Sequence, residues 1–290
     1  MERGKEIVLN IMKSGENIIT INGKRILYWQ KNPEKKGVII LLHGFPGSHI
    51  GLIDMAATIK DYRIIIPDLP ACGQSELLEE KHTLENYAKW LNDFMKNLSI
   101  EDTIIIGHSF GSRVALFFSI YYPERIKKMV LITPVLKVDG LITYFIALHC
   151  NIAKLLPKYL RKTWLSNGFY HKVSHAIIFK SSDFRKRRQI MHRNFQESKN
   201  VDHRAAMEIF DEFYKSNLIN MSDKSKVKSL IIAGGNDEIV SLNSIKELSN
   251  KLINCEVKIM ENSGHLVPLE KPLATVKIIQ SWLSSPFGSK

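Results

Sequence analysis

Cysteine is scarce in this chain: Cys72, Cys150 and Cys255 are the only three, scattered over 290 residues. An odd, widely spaced set excludes a disulfide framework and the paired spacing of a cysteine metal site. It points to a reducing compartment, so a cytoplasmic location is expected. The opening residues, Met1-Glu2-Arg3-Gly4-Lys5-Glu6, lack the apolar core of a secretory leader. Long apolar runs are missing too. Residues 141–156 come nearest, but His149, Asn151 and Lys154 interrupt them short of a membrane span. No basic stripe interleaved with aromatic residues is present, so nucleic acid is not an expected partner. Nothing in the spacing calls for a metal or another cofactor.

Charge of one sign is in short supply. Lys and Arg number 41 against 29 Asp and Glu, a net charge of +12. Such a balance favours contact with anionic surfaces, although a lysine-rich, solvated exterior gives the same count. Residues 184–195 carry Arg185-Lys186-Arg187-Arg188 beside Phe184, Ile190, Met191 and Phe195. This run reads as a solvated helix face or as the source of a weak association with an anionic membrane surface.

What the chain does have is a repeating order of strand and helix. Residues 17–21 and 25–29 flank Asn22-Gly23, a type I′ turn signal, and predict an opening hairpin. Apolar runs at 38–42, 63–67 and 103–106 read as strands, the last as a buried parallel one, and 128–133, 229–233 and 256–260 read as further strands. Helical spacing occupies 83–98, 112–118, 242–252 and 273–283. Alternation of this kind implies a mostly parallel sheet covered by helices on both faces, with the site beyond the carboxyl ends of the strands. His43, Asp68, Ser109 and Asp237 all follow strand ends.

Residues 136–222 have no clear β-run. Leu141, Phe145, Leu148, Ile152, Leu155 and Tyr159 form one apolar stripe, widened by Ile142 and Ile146. This predicts a helix over 141–159, buried around most of its circumference. Asp202 is placed to cap a later helix with Ala205, Ile209, Phe210 and Phe213 on one face. The segment reads as a helical lid inserted into a core made of residues 1–135 and 223–290.

The sharpest local signal is Gly107-His108-Ser109-Phe110-Gly111 between a strand and a helix. Strand, G-x-S-x-G, helix is the layout of a nucleophile elbow. A serine at so tight a turn projects its hydroxyl from strained backbone, and a Cβ two positions to either side would strike neighbouring backbone. The hydroxyl then needs a base, and the base needs a group to orient it. Asp237, after the 229–233 strand, and His265, after the 256–260 strand, lie on adjacent loops within reach.

Four ordered motifs carry a family resemblance covering nearly all of the chain outside the lid. They are His43-Gly44-Phe45-Pro46-Gly47, Asp68-Leu69-Pro70-Ala71-Cys72-Gly73-Gln74-Ser75, the elbow, and Gly264-His265-Leu266-Val267-Pro268-Leu269-Glu270-Lys271-Pro272. The chain resembles the α/β-hydrolase-fold serine hydrolases of the esterase and lipase type. The second motif departs slightly at Ala71-Cys72 and Gly73. The resemblance implies Ser109 as nucleophile, His265 as general base and then acid, and Asp237 as its orienting partner, with Asp139, beyond the 128–133 strand where some relatives place the acid, as the alternative. It also implies an oxyanion hole from the backbone N–H groups of Phe45 and Phe110. His43, Gly44 and Asp68 would support the loops, and Gly107 and Gly111 the elbow. A cis bond before Pro46 occurs in similar loops. His108 should point away from Ser109. Few residues near the motifs could bind a substrate carboxylate; Arg113, on the helix face turned from the nucleophile, is a weak candidate.

An apolar lid over such a site suits a small hydrophobic ester-like substrate, with hydrolysis of an ester or thioester through an acyl-enzyme. Carbon–carbon bond hydrolysis of the meta-cleavage-product type is the alternative, although Phe110 and Ser112 differ from the elbow usual there. A non-catalytic receptor on the same fold is a third reading. Oligomeric state is left open.

Overall fold

The structure is a computed structural model and describes residues 15–137, 148–149, 151–153, 155–165, 188–189, 192 and 202–285. Eight strands form one sheet: β1 (Glu16–Ile21), β2 (Lys24–Lys31), β3 (Val38–Leu42), β4 (Arg63–Pro67), β5 (Thr103–His108), β6 (Ile126–Ile132), β7 (Ser229–Gly234) and β8 (Cys255–Met260). Their order is β1-β2-β4-β3-β5-β6-β7-β8. The β1–β2 hairpin turns at Asn22-Gly23, where φ is +48° and +76°, as that dipeptide allows. β2 joins β4 antiparallel, and every pairing from β4 through β8 is parallel.

The parallel strands β3 to β7 are covered on both faces, and their runs of Ile, Leu and Val supply the apolar surface this needs; β8, at the sheet edge, is not covered in this way, and its Glu256, Lys258 and Ile259 are exposed. Side chains alternate across the sheet. Ile40, Leu42, Ile65, Ile105, Leu131 and Ile231 pack on one face against α1 (Leu84–Asn97), α2 (Phe110–Tyr121) and α5 (Leu242–Lys251). Ile39, Leu41, Ile64, Ile106, Val130 and Ile232 pack on the other against α6 (Pro272–Ser284) and the helical turn Ile53–Ala56. Burial of each such side chain is worth about 1.5–3 kcal/mol. Thr83 caps α1 by accepting the Asn86 N–H at 3.3 Å, and Leu84, Tyr87, Leu91 and Phe94 form its buried stripe.

Within residues 136–222 stand α3 (Lys158–Leu165) and α4 (His203–Lys215). Asp202 caps α4 as its sequence predicts, accepting from the Arg204 and Ala205 amides. The single helix expected over 141–159 is not what forms. Residues 141–147 lie outside the described residues, and the helical stretch ending at Leu155 is broken at Leu156-Pro157 before α3 begins. Pro157 offers no N–H, and its ring disfavours helical backbone at the residue before it. Leu155 and Tyr159, expected within one buried stripe, are 86% and 77% exposed. Among the described residues no helix is long and apolar enough to cross a membrane.

Candidate active site

The site lies at the carboxyl ends of the central strands. β5 sits between β3 and β6, and the chain turns sharply after His108. Ser109 has φ +52° and ψ −111°, a conformation costing a non-glycine residue about 1–3 kcal/mol. Its N–H donates to the Ile132 carbonyl at 3.0 Å and its carbonyl accepts from the Ser112 N–H at 3.1 Å, so both ends of the turn are tied. A Cβ on Gly107 would stand 2.5 Å from the Gly111 carbonyl oxygen, and one on Gly111 would overlap the Leu42 carbonyl. Ser112 is fully buried and donates its hydroxyl to the Gly107 carbonyl at 2.7 Å, locking the elbow.

The three side chains singled out by their positions after strand ends meet. His265 Nε2 is 2.9 Å from Ser109 Oγ, and His265 Nδ1 is 2.9 Å from Asp237 Oδ2. The second oxygen of Asp237 accepts the Ile239 and Val240 amides at 2.8 and 3.0 Å. Burial pushes the Asp237 carboxyl up, but the His265 ring and these two amides outweigh it and hold it below the usual aspartate value. The aspartate and histidine loops are joined by the Asn236 N–H, which donates to the Ser263 carbonyl at 2.9 Å.

Beside the hydroxyl lies the loop after β3. A Cβ on Gly44 would come 3.2 Å from Ser109 Cβ. The Phe45-Pro46 bond is cis. The Phe45 ring stands edge-on to Phe110, with centroids 6.2 Å apart. Phe110 opens α2, so its N–H is among the first-turn amides that have no partner within the helix, at the positive end of the helix dipole.

A family model described as alpha/beta hydrolase fold matches residues 37–272. The chain belongs to the alpha/beta hydrolase fold family. A human relative, monoacylglycerol lipase ABHD6, is 25% identical over 269 residues, covering 87% of this chain and 77% of that protein. A hydrolase of Bacillus subtilis, YugF, is 27% identical over 266 residues, covering 87% and 92%. The solved esterase EaEST of Exiguobacterium antarcticum superposes with a TM-score of 0.79 at 16% identity, covering 93% of this chain and 99% of that one, a likeness of fold.

In this α/β-hydrolase the supporting histidines are neutral and structural. His43 accepts the Leu69 N–H on Nε2 at 2.9 Å, so its proton sits on Nδ1, which donates to the Gly44 carbonyl at 2.8 Å. Burial keeps its pKa below the ordinary histidine value. His108 turns away from Ser109. Burial, and then the nearby His265 ring, push it down to about 3, and its Nε2–H donates to the His265 carbonyl at 3.1 Å. Thr133 Oγ1 donates to that same carbonyl at 2.9 Å. Glu270 accepts the Gly264 N–H at 3.0 Å, pinning the loop from its far side.

Arg113 is buried, and its guanidinium is engaged by the protein itself. Its guanidinium donates to the carbonyls of Val135 at 2.8 Å and Glu212 at 2.9 Å, and lies 4.6 Å from the Phe213 ring centroid. It fastens the negative end of α4 to the core, and burial lowers its pKa to about 9. Asp139, Arg185, Lys186 and Arg187 lie outside the described residues. Glu270, Thr133 and His49 were not singled out by sequence reasoning. Glu270 had a signal, since it stands within the histidine motif. The roles of Thr133 and His49 depend on partners far along the chain.

Proposed function

We propose that the protein hydrolyses carboxylic esters or thioesters of hydrophobic acyl groups, with Ser109 as nucleophile. The observation that carries this reading is the continuous chain Ser109 Oγ, His265 Nε2, His265 Nδ1, Asp237 Oδ2 at a strained elbow. Ser109 Oγ attacks the acyl carbon while Nε2 takes its proton. Asp237 holds the ring with its proton on Nδ1 and stabilises the imidazolium. The former carbonyl oxygen, now negative, accepts from the Phe45 and Phe110 amides, each donor worth about 3 kcal/mol in the transition state. Collapse expels the alcohol or thiol, which leaves with the proton from Nε2. Water then attacks the acyl-enzyme by the same steps, releasing the acid and restoring Ser109.

Preference for an apolar acyl group is supported by the aromatic rings carried by the loop after β3, the first turn of α2 and α4. Phe45 meets Phe210 of α4 edge-on at 5.8 Å, and Phe110 lies 5.7 Å from Phe213. The lid expected over residues 136–222 would close this aromatic wall from above. The name of the human relative, a monoacylglycerol lipase, fits an acyl ester. Residues 137–200 hold 13 Lys and Arg against 3 Asp and Glu, ten of the twelve net positive charges, which supports weak attraction to anionic membranes.

The test is covalent labelling with a fluorophosphonate, followed by p-nitrophenyl esters of increasing acyl length. Wild-type protein should label and turn over, with Ser109→Ala silent in both assays. Folded wild-type protein that neither labels nor hydrolyses any ester would end this reading, and a coloured meta-cleavage substrate would then test the carbon–carbon alternative.

A further inference from the structure

Behind the oxyanion loop lies a second buried cluster of ionisable groups that the proposed chemistry does not use. His49, 1% exposed, follows that loop, and Asp68, fully buried, follows β4. One oxygen of Asp68 accepts both the His49 N–H at 2.7 Å and His49 Nδ1–H at 2.8 Å. The other accepts the Gln74 N–H at 2.9 Å. His49 Nε2 is buried without a hydrogen bond and faces Glu16 Oε1 of β1 at 3.5 Å. A carboxylate removed from water needs a cation or several donors, and His49 provides a donor and a charge together.

The next residue carries the effect forward. The Leu69 N–H donates to His43 Nε2, and His43 Nδ1–H donates to the Gly44 carbonyl. Gly44 precedes Phe45, whose amide is one of the two proposed oxyanion donors. The line runs from Glu16 through His49 and Asp68 to Leu69, His43 and Gly44. It joins the loops after β3 and β4 to the hairpin strand β1. The ionisable groups facing His49 are Asp68, Glu16 and His43.

We infer that His49 is a positioning residue for the oxyanion loop: by holding the Asp68 carboxylate it fixes the Leu69 N–H, and so the His43 ring that sets the Phe45 amide beside Ser109. The inference rests on the hydrolase reading of Ser109. A misplacement of about 1 Å in such a donor costs about 100-fold in rate, and loss of one donor costs about 100- to 1000-fold.

The experiment compares full-length wild type, His49→Leu, His49→Asn and Glu16→Gln. Four quantities are read: kcat and KM on a short p-nitrophenyl ester, Tm, and the imidazole 15N shifts of His43. His49→Leu should lower kcat about 10- to 100-fold with KM within about twofold, and should move the His43 signals. His49→Asn keeps an N–H near the Nδ1 position and should recover most of the rate and the wild-type signals. Glu16→Gln should lower kcat by about threefold at nearly unchanged Tm. It gives the answer alone if His49→Leu does not fold. Unchanged kcat and unchanged His43 signals in every folded variant would overturn the inference. So would losses in Asn and Leu variants alike that only track Tm. If wild type shows no turnover, the hydrolase reading has failed instead, and the His43 signals still report whether His49 governs the loop.

Discussion

Ser109 Oγ and His265 Nε2 stand 2.9 Å apart although 156 residues separate them. Nothing local enforces that distance. It follows from the register of the parallel strands, which delivers the ends of β5 and β8 to one edge, and from three restraints on the histidine loop. Thr133 and His108 hold the His265 carbonyl, and Glu270 holds the Gly264 amide. The imidazole is therefore placed by backbone hydrogen bonds that share no atoms with the reacting groups.

Asp237→Asn should leave the fold intact and lower kcat by about 10⁴-fold, because an amide oriented by the Ile239 and Val240 amides no longer accepts from Nδ1. Adding Ser109→Ala should cost little more, since the groups act as a unit. Additive losses in a double-mutant cycle on ester turnover would contradict the proposed roles. The pH dependence follows from the sign of the Asp237 shift. Its folded pKa is depressed, so its stabilisation is present above the unfolded value of about 3.9 and is lost as pH falls through the lower folded value. Acid unfolding of Asp237→Asn should lack that component.

Much of this arrangement is legible in the sequence, and the reasons are specific. The strands are readable because both faces are buried, so 38–42, 63–67 and 229–233 are unbroken apolar runs bounded by turn residues. The elbow is readable because only glycine fits at positions 107 and 111. The stripe through Leu141, Leu148, Leu155 and Tyr159 misleads because periodicity does not register a chain break, and Pro157 provides one. Arg113 gives no hint of its role, since the carbonyls of Val135 and Glu212 that it binds belong to the backbone and leave no mark on residue identity. His49 is silent for a related reason. Its meaning lies in Glu16 and Asp68, which the sheet brings together and the sequence keeps apart.

Ala71 occupies a left-handed conformation at φ +69° in the loop after β4. Glycine adopts that region without the Cβ penalty of about 1–2 kcal/mol, but gains entropy in the unfolded chain worth about 0.4–1 kcal/mol. Ala71→Gly should therefore raise stability by about 0.5–1 kcal/mol in urea unfolding, with ester turnover unchanged. Gly73→Ala in the same loop should do the opposite, because φ is +55° and a Cβ there would overlap the Asp68 carboxylate.

His49 carries a pH signature of the opposite sign to Asp237. Burial lowers its pKa, but hydrogen bonding and charge from Asp68, and then the charge of Glu16, outweigh this and leave it raised. Its stabilisation is fully present below the unfolded histidine value of about 6.5 and is lost as pH rises through the higher folded value. Wild-type Tm should fall over that interval, and His49→Asn, with no titrating ring, should show a flatter profile in the same buffers.

Arg113→Met replaces a buried cation with an apolar chain of similar length. The carbonyls of Val135, Glu212 and Ser216 lose their donors, and the Phe213 ring loses the guanidinium beside it. A loss of about 3 kcal/mol is expected. Arg113→Lys should recover only part of it, since one ammonium cannot reproduce the planar fork that spans α2, the segment after β6 and the end of α4. The location of the damage distinguishes this role from a general core defect. Hydrogen exchange should rise first in α4 and in the Phe210–Phe213 wall, while the amides of β3, β5 and β6 stay protected. Equal loss of protection in the central strands would mean that Arg113 supports the core as a whole rather than anchoring α4.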